Sequence, residues 1–76
     1  MNQEGIGLFR SKVKVGDEIS VRSTKYEDMI YFGEVYKITD DAVWIRSNMR
    51  LDLFETLAIP AFEEFKFQDI WWYNVA

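Results

Sequence analysis

Apolar and polar residues alternate in several short stretches of the chain, and the first stretch covers residues 13–22, VKVGDEISVR. Its apolar parity consists of Val13, Val15, Ile19 and Val21, whereas the other parity is mainly charged or polar. A period of two predicts a strand with one buried and one exposed face. Gly16 and Asp17 interrupt the alternation and predict a turn or bulge within the strand.

Two further stretches predict the next pair of strands. The polar residues 23–28 predict a loop, and residues 29–38, MIYFGEVYKI, are rich in the β-branched and aromatic side chains that favour strands. Gly33 in the middle of the second strand indicates a bend or a close backbone approach. Residues 39–41, TDD, predict a tight turn. Residues 42–47, AVWIRS, alternate again, with Val43 and Ile45 on one face and Trp44 and Arg46 on the other.

The last third of the chain is less regular. Residues 51–59, LDLFETLAI, have a spacing that fits either a strand or a short helix, and Pro60 then ends regular pairing. Residues 61–69 predict a compact connection whose phenylalanines, Phe62, Phe65 and Phe67, point inward. Residues 70–75, IWWYNV, predict a closing strand.

These elements predict an all-β fold: a five-stranded SH3-like small barrel over residues 13–76, with a short N-terminal arm, residues 1–12, packed against it. The succession V-G-D-E-I-S-V, G-E-V-x-x-I, V-W-I and a late I-P…F-x-D-I resembles SH3-like and Sm-like small β-barrels. The spacing from Gly33 through Ile45 is also similar to that of YolD-like proteins. The resemblance implies a barrel and assigns no functional residues.

Composition narrows the classes of protein that this chain can represent. A chain of 76 residues forms one domain. Since 49% of its residues are apolar, we predict a folded domain with a hydrophobic core and not a disordered chain. The absence of cysteine and histidine removes disulfides and the usual zinc ligands, so we predict no metal and no cofactor. Since no apolar run is long enough for a signal peptide or a membrane helix, we predict a soluble cytoplasmic protein without membrane contact.

The net charge of −4 is unevenly distributed along the chain. Residues 51–76 hold five acidic side chains and Lys66 as their single basic one. This acidic segment repels nucleic-acid phosphates and suits a basic partner.

The closing strand supplies the first candidate site, because it concentrates aromatic surface beside acidic residues. Tryptophan and tyrosine are enriched at binding hot spots, so one parity of this strand can form a docking surface with an acidic rim. The candidate residues are Trp71, Trp72, Tyr73, Glu63, Glu64 and Asp69. In the alternative interpretation one tryptophan caps the barrel and the other packs under the N-terminal segment with Leu8 and Phe9.

A second candidate site is a basic and aromatic strand face of the kind that holds single-stranded nucleic acid. Its residues are Arg22, Lys37, Trp44, Arg46 and Arg50. In the alternative interpretation an arginine stacks on Trp44 and pairs with a nearby glutamate. The acidic net charge favours this alternative, because a phosphate-binding protein normally has a basic surface.

The acidic residues do not predict catalysis, and we expect that the chain is not an enzyme. Its adjacent acidic pairs point to opposite faces of a strand or lie in turns, so they are poor acid–base dyads. We predict a non-catalytic protein-binding module or a small regulatory or inhibitor protein, whose partner is another protein or a second copy of the chain. In size and charge it resembles the small acidic proteins that phages and other mobile elements encode.

Overall fold

The computed structural model describes residues 1–47 and 62–76 of the chain. Within these residues, helix α1 spans Gln3–Lys12, and the strands are β1 (Glu18–Ser23), β2 (Tyr26–Ile38), β3 (Ala42–Ser47), β4 (Phe62–Lys66) and β5 (Ile70–Val75). A 3₁₀ turn at Phe67–Asp69 connects β4 to β5. The strands form one antiparallel sheet in the order β4-β3-β2-β1-β5. The prediction of an all-β fold with five strands is therefore confirmed.

The sheet is not closed into a barrel, unlike the closed form that the sequence predicts. Among the described strands, β4 and β5 lie at opposite edges and no pairing joins them. Backbone groups where β4 connects to β5 form hydrogen bonds with other parts of the chain. Phe67 N–H donates to Asp41 O at 2.9 Å, and the amino group of Met1 donates to the carbonyl oxygens of Phe67 and Ile70 at 3.0 and 2.9 Å. Among residues 1–47 and 62–76, both outer strands are thus edges of the sheet.

The strand bounds agree with the sequence prediction in part. Strands β3 and β5 match residues 42–47 and 70–75, but β1 begins only at Glu18, after a turn in which Gly16 has φ 99°. Strand β1 ends at Ser23 and β2 begins at Tyr26, so the loop predicted over residues 23–28 is correct only for Thr24 and Lys25.

The fourth strand differs more from its prediction. Strand β4 occupies residues 62–66, where the sequence predicts an irregular connection, so that prediction is wrong. The segment 51–59, predicted as strand or helix, and Pro60 lie outside the described residues.

One face of the sheet, together with α1 and the 3₁₀ turn, encloses the core. The buried cluster consists of Phe9, Val13, Ile19, Val21, Tyr31, Val35, Val43, Ile45, Phe65, Phe67 and Ile70. Three of the four apolar residues predicted for the first strand are in this cluster, but Val15 is 63% exposed because it lies in the turn before β1. Phe62 is also exposed, because it pairs with Arg46 on the outer face of the sheet.

Helix α1 occupies most of the predicted N-terminal arm. The side chain of Asn2 caps the helix by accepting a hydrogen bond from Gly5 N–H at 2.8 Å. Phe9 is the buried residue of the helix, and its ring centroid lies 5.3 Å from that of Phe67 and 4.7 Å from that of Tyr73. Phe9 thus attaches the helix to the core, and the partly buried Ile6 packs against the same core.

Candidate functional site

The pairing of β5 with β1 contains an irregularity at the two adjacent tryptophans. Ser23 pairs with Ile70 and Arg22 pairs with Trp72, so Trp71 is an extra residue opposite one step of β1. This is the arrangement of a β-bulge, which re-aims side chains and increases the local twist. Strict alternation from Ile70 to Val75 therefore does not hold.

The bulge places both indoles on the outer face of the sheet. Trp72 lies opposite Arg22, whose neighbours Val21 and Ser23 are buried on the inner face. The guanidinium carbon of Arg22 lies 5.5 Å from the centroid of the Trp71 ring, a cation–π distance. Trp71 is 56% exposed and Trp72 is 41% exposed. We call Arg22, Trp71 and Trp72 the tryptophan patch.

Tyr73 does not belong to the tryptophan patch. It pairs with Val21, is half-buried, and meets Phe9 edge-on at 4.7 Å. The alternative interpretation of the sequence predicts a tryptophan under the N-terminal segment, but in the structure Tyr73 occupies this position. Leu8, predicted to take part in that contact, is exposed.

The acidic residues predicted as a rim do not gather around the patch. Glu63 and Glu64 are on β4, at the opposite edge of the sheet from β5. Glu63 is only 7% exposed and pairs with Lys25 and Tyr26, which makes it part of the interior. Asp69 alone adjoins the patch along the chain, since it directly precedes β5.

The four described residues of the predicted nucleic-acid site share the outer face with acidic side chains. The guanidinium of Arg46 pairs with Glu34 at 3.1 Å, and Trp44 is flanked by Lys37 and Glu64 on the neighbouring strands. Arg22 stacks on Trp71 in the tryptophan patch. Arg50 lies outside the described residues. The arginine–glutamate pairing on this face is of the kind that the alternative interpretation predicts.

A second exposed aromatic pair lies on the outer face away from β5. Tyr36 is the extra residue of a bulge in β2, and its ring centroid is 4.8 Å from that of Phe62. Together with Val15 these rings line a shallow cleft of about 290 Å³. Because it is distant from β5 in the strand order, this pair offers a control for substitutions in the tryptophan patch.

A polar cluster that the sequence analysis did not identify surrounds Glu63. Lys25 forms an ion pair with one carboxylate oxygen, and the hydroxyl of Tyr26 donates to the other at 3.1 Å. Burial, and then the hydrogen bond and charge of Glu63, raise the pKa of Tyr26. Burial also raises the pKa of Tyr31, although its hydrogen bond with Ser47 acts in the opposite direction. Glu63 lies two residues before the buried Phe65, so both side chains point to the inner face of β4. This spacing was the sequence signal that could have identified Glu63 as an inward residue.

The described residues define a small antiparallel β domain with an exposed aromatic edge strand. Within residues 1–47 and 62–76, no helix is long and apolar enough to cross a membrane. The same residues contain no group of three acidic side chains placed to hold a metal ion together. Comparison of the chain with protein-family models, with curated proteins and with solved structures finds no match.

Proposed function

We propose that the chain is a non-catalytic protein-binding module that docks through the tryptophan patch. The observation that carries the proposal is the pair of adjacent indoles, 56% and 41% exposed, on one face of an edge strand. Exposed aromatic surface of this size is unfavourable in water and is typical of contact sites. Tryptophan and arginine, the residue types of the patch, are also those most enriched at binding hot spots.

The character of β5 supports the same proposal. Its sequence, IWWYNV, contains no charged residue and no proline. Natural edge strands usually carry such residues, because they prevent unwanted pairing with other chains. A partner that covers Trp71 and Trp72 would also lie against this edge, which no described strand pairs with.

The charge of the chain indicates the chemistry of the partner. Since the net charge is −4 and the acidic excess lies in residues 51–76, a protein with a basic surface is attracted at long range. A second copy carries the same net charge and is repelled. We therefore assign the patch to a protein partner of net positive charge: the net charge of the chain attracts it at long range, whereas Arg22 acts only at contact distance. The chain regulates or inhibits this partner by covering its surface.

Affinity capture from the native host tests this assignment with two matched variants. We expect wild-type protein to retain a basic protein, W71S/W72S to lose it, and Y36S, which removes an exposed ring elsewhere on the sheet, to retain it. Circular dichroism verifies that each variant is folded. Equal capture by wild type and W71S/W72S would refute the proposal.

Light scattering over a concentration series tests the choice of partner. We expect the free chain to remain monomeric. A wild-type dimer that W71S/W72S converts into a monomer would assign the patch to self-association instead of a basic partner.

A further inference from the structure

Lys25 reaches across the sheet from the turn between β1 and β2 and contacts β4. Its ammonium group forms an ion pair with Glu63 and donates to the carbonyl oxygen of Glu64 at 2.7 Å. The same nitrogen lies 5.5 Å from the centroid of the Phe65 ring. One cation thus meets a carboxylate, a carbonyl oxygen and an aromatic face, which are three groups that bind ammonium.

Aromatic rings pack together beside this ammonium group. The ring centroid of Phe65 lies 4.9 Å from that of Tyr31 and 6.1 Å from that of Tyr26. The two tyrosine rings are stacked at 6.4 Å with an angle of 11° between their planes. The hydroxyl of Tyr26 also holds the carboxylate of Glu63, which fixes the position of the anion beside the rings.

Burial makes this cluster selective for a cation. The side chain of Glu63 is 9% exposed, whereas that of Lys25 is 39% exposed, so the anion is the fixed part and the lysine closes the cluster from outside. A buried carboxylate without a partner is strongly unfavourable. Lys25 therefore leaves its place readily only when another cation enters.

We propose that Glu63, the Glu64 carbonyl group and the ring of Phe65 form an ammonium-binding site in which Tyr26 positions the carboxylate, and that the chain's own Lys25 occupies this site. The ligand class is a primary alkylammonium group, such as a lysine side chain presented by another protein. Because Lys25 is tethered beside the site, it competes at high effective concentration and keeps the affinity of the wild-type chain for external amines low.

This site is separate from the tryptophan patch. Its carboxylate lies on β4, at the opposite edge of the sheet from β5, and none of its residues contributes to the patch. The proposal does not depend on the proposed function, and the W71S/W72S variant is expected to bind ammonium as wild type does.

Replacing Lys25 with alanine and supplying n-butylammonium chloride tests the proposal. We expect K25A to be less stable than wild type and to regain thermal stability with n-butylammonium but not with sodium chloride at equal ionic strength. Binding to K25A is expected to be at least about tenfold tighter than to wild type, because the intramolecular competitor has been removed. Saturable shifts of the Phe65 and Tyr26 ring signals in NMR spectra report the binding.

Two further variants locate the effect. K25A/E63Q lacks the anion, and K25M keeps an apolar stem in the position of the ligand, so we expect neither to bind n-butylammonium. Equal binding by K25A and either variant, or no saturable binding by K25A, would show that Lys25 and Glu63 form a structural ion pair only. If K25A does not fold, titration of wild type decides, with n-butylammonium raised to molar concentration to overcome the tethered Lys25 and sodium chloride at equal ionic strength as the control. Saturable shifts of the same ring signals support the site, and their absence overturns it.

Discussion

Gly33 lies in the middle of β2, where the backbone of β3 approaches too closely for a side chain. A Cβ atom built on Gly33 would overlap Arg46 O, and would lie 2.7 Å from Ile45 Cγ2 and 2.8 Å from the Arg46 carbonyl carbon. Because two of these atoms belong to the backbone, rotation of a side chain cannot relieve the overlap. We expect G33A to destabilise the fold by about 3 kcal/mol, measured by urea unfolding.

Gly7 provides the control for G33A. It lies within α1 and is exposed, and a Cβ atom there would meet no atom within 4 Å apart from its chain neighbours and the backbone of its own helix. We expect G7A to raise the unfolding free energy by about 0.5 kcal/mol, because alanine favours helix and restricts the unfolded chain. Similar stabilities for G33A and G7A would mean that β2 and β3 do not approach closely.

The pair of Tyr26 and Glu63 gives the stability of the fold a dependence on alkaline pH. The pKa of Tyr26 is raised above 10.0, first by burial and then by Glu63, so the folded state holds the phenol proton more tightly than the unfolded state. This stabilising contribution is fully present below pH 10 and is lost as the pH rises through the pKa of Tyr26 in the folded protein. Urea unfolding on either side of pH 10 measures the loss.

Glu63→Gln separates the two causes of this pKa shift. Because burial remains and the negative charge is removed, we expect Tyr26 to titrate at lower pH in E63Q than in wild type, but still above 10. The ultraviolet absorbance of tyrosinate, taken as a difference from Y26F, follows this one residue. A Tyr26 titration that is the same in both proteins would contradict the contact.

The bulge in β5 shows what a period-two pattern cannot predict at single residues. The sequence assigns Trp71 and Trp72 to opposite faces, yet the extra residue opposite Arg22 brings both to one face. A bulge depends on the backbone geometry of two paired strands, and neither strand alone contains this information. The parity of Val43 and Trp44 was by contrast correctly predicted, because β3 contains no extra residue of its own and pairs regularly with β4.

At the scale of elements, helix α1 depends on the core for its position. Phe9 is fully buried against Phe67 and Tyr73, whereas its neighbour Leu8 is 53% exposed. We expect F9A to lower the unfolding free energy by about 4 kcal/mol, since it removes a large core side chain and leaves a cavity. L8A is expected to change it by less than about 0.5 kcal/mol. Urea unfolding compares the two, and equal losses would show that α1 is not docked through Phe9.

Helix α1 and β4 show why two of the elements were not predicted from the sequence. Residues 3–12, QEGIGLFRSK, contain two glycines and few apolar residues, so their helix propensity is low. The helix is therefore stabilised mainly by the contact of Phe9 with the core. Strand β4, FEEFK, has only two apolar residues, and its inward Glu63 breaks the expected alternation. The neutralising Lys25 comes from a distant turn, and a local pattern does not include it.

At the scale of the whole molecule, the net charge and the local charge at the tryptophan patch have opposite effects on the approach of an anion. The chain carries −4 overall and repels anions, but Arg22 lies 5.5 Å from the exposed Trp71 ring and attracts them locally. Iodide and caesium ions carry opposite charges and both quench tryptophan fluorescence. Their comparison, each scaled to its quenching of a free tryptophan derivative, reports which effect is stronger at the patch. Acrylamide, which is neutral, reports exposure alone.

We expect iodide to quench wild-type fluorescence more than caesium does, because the attraction of Arg22 acts at contact distance and the remaining charges are screened by salt. R22Q should reduce iodide quenching and leave acrylamide quenching unchanged. W71F/W72F keeps only the half-buried Trp44, so its emission should lie at shorter wavelength and resist all three quenchers, whereas W44F should behave as wild type. Stronger quenching by caesium in the wild type, or strong acrylamide quenching of W71F/W72F, would contradict the assignment of exposed indoles beside Arg22.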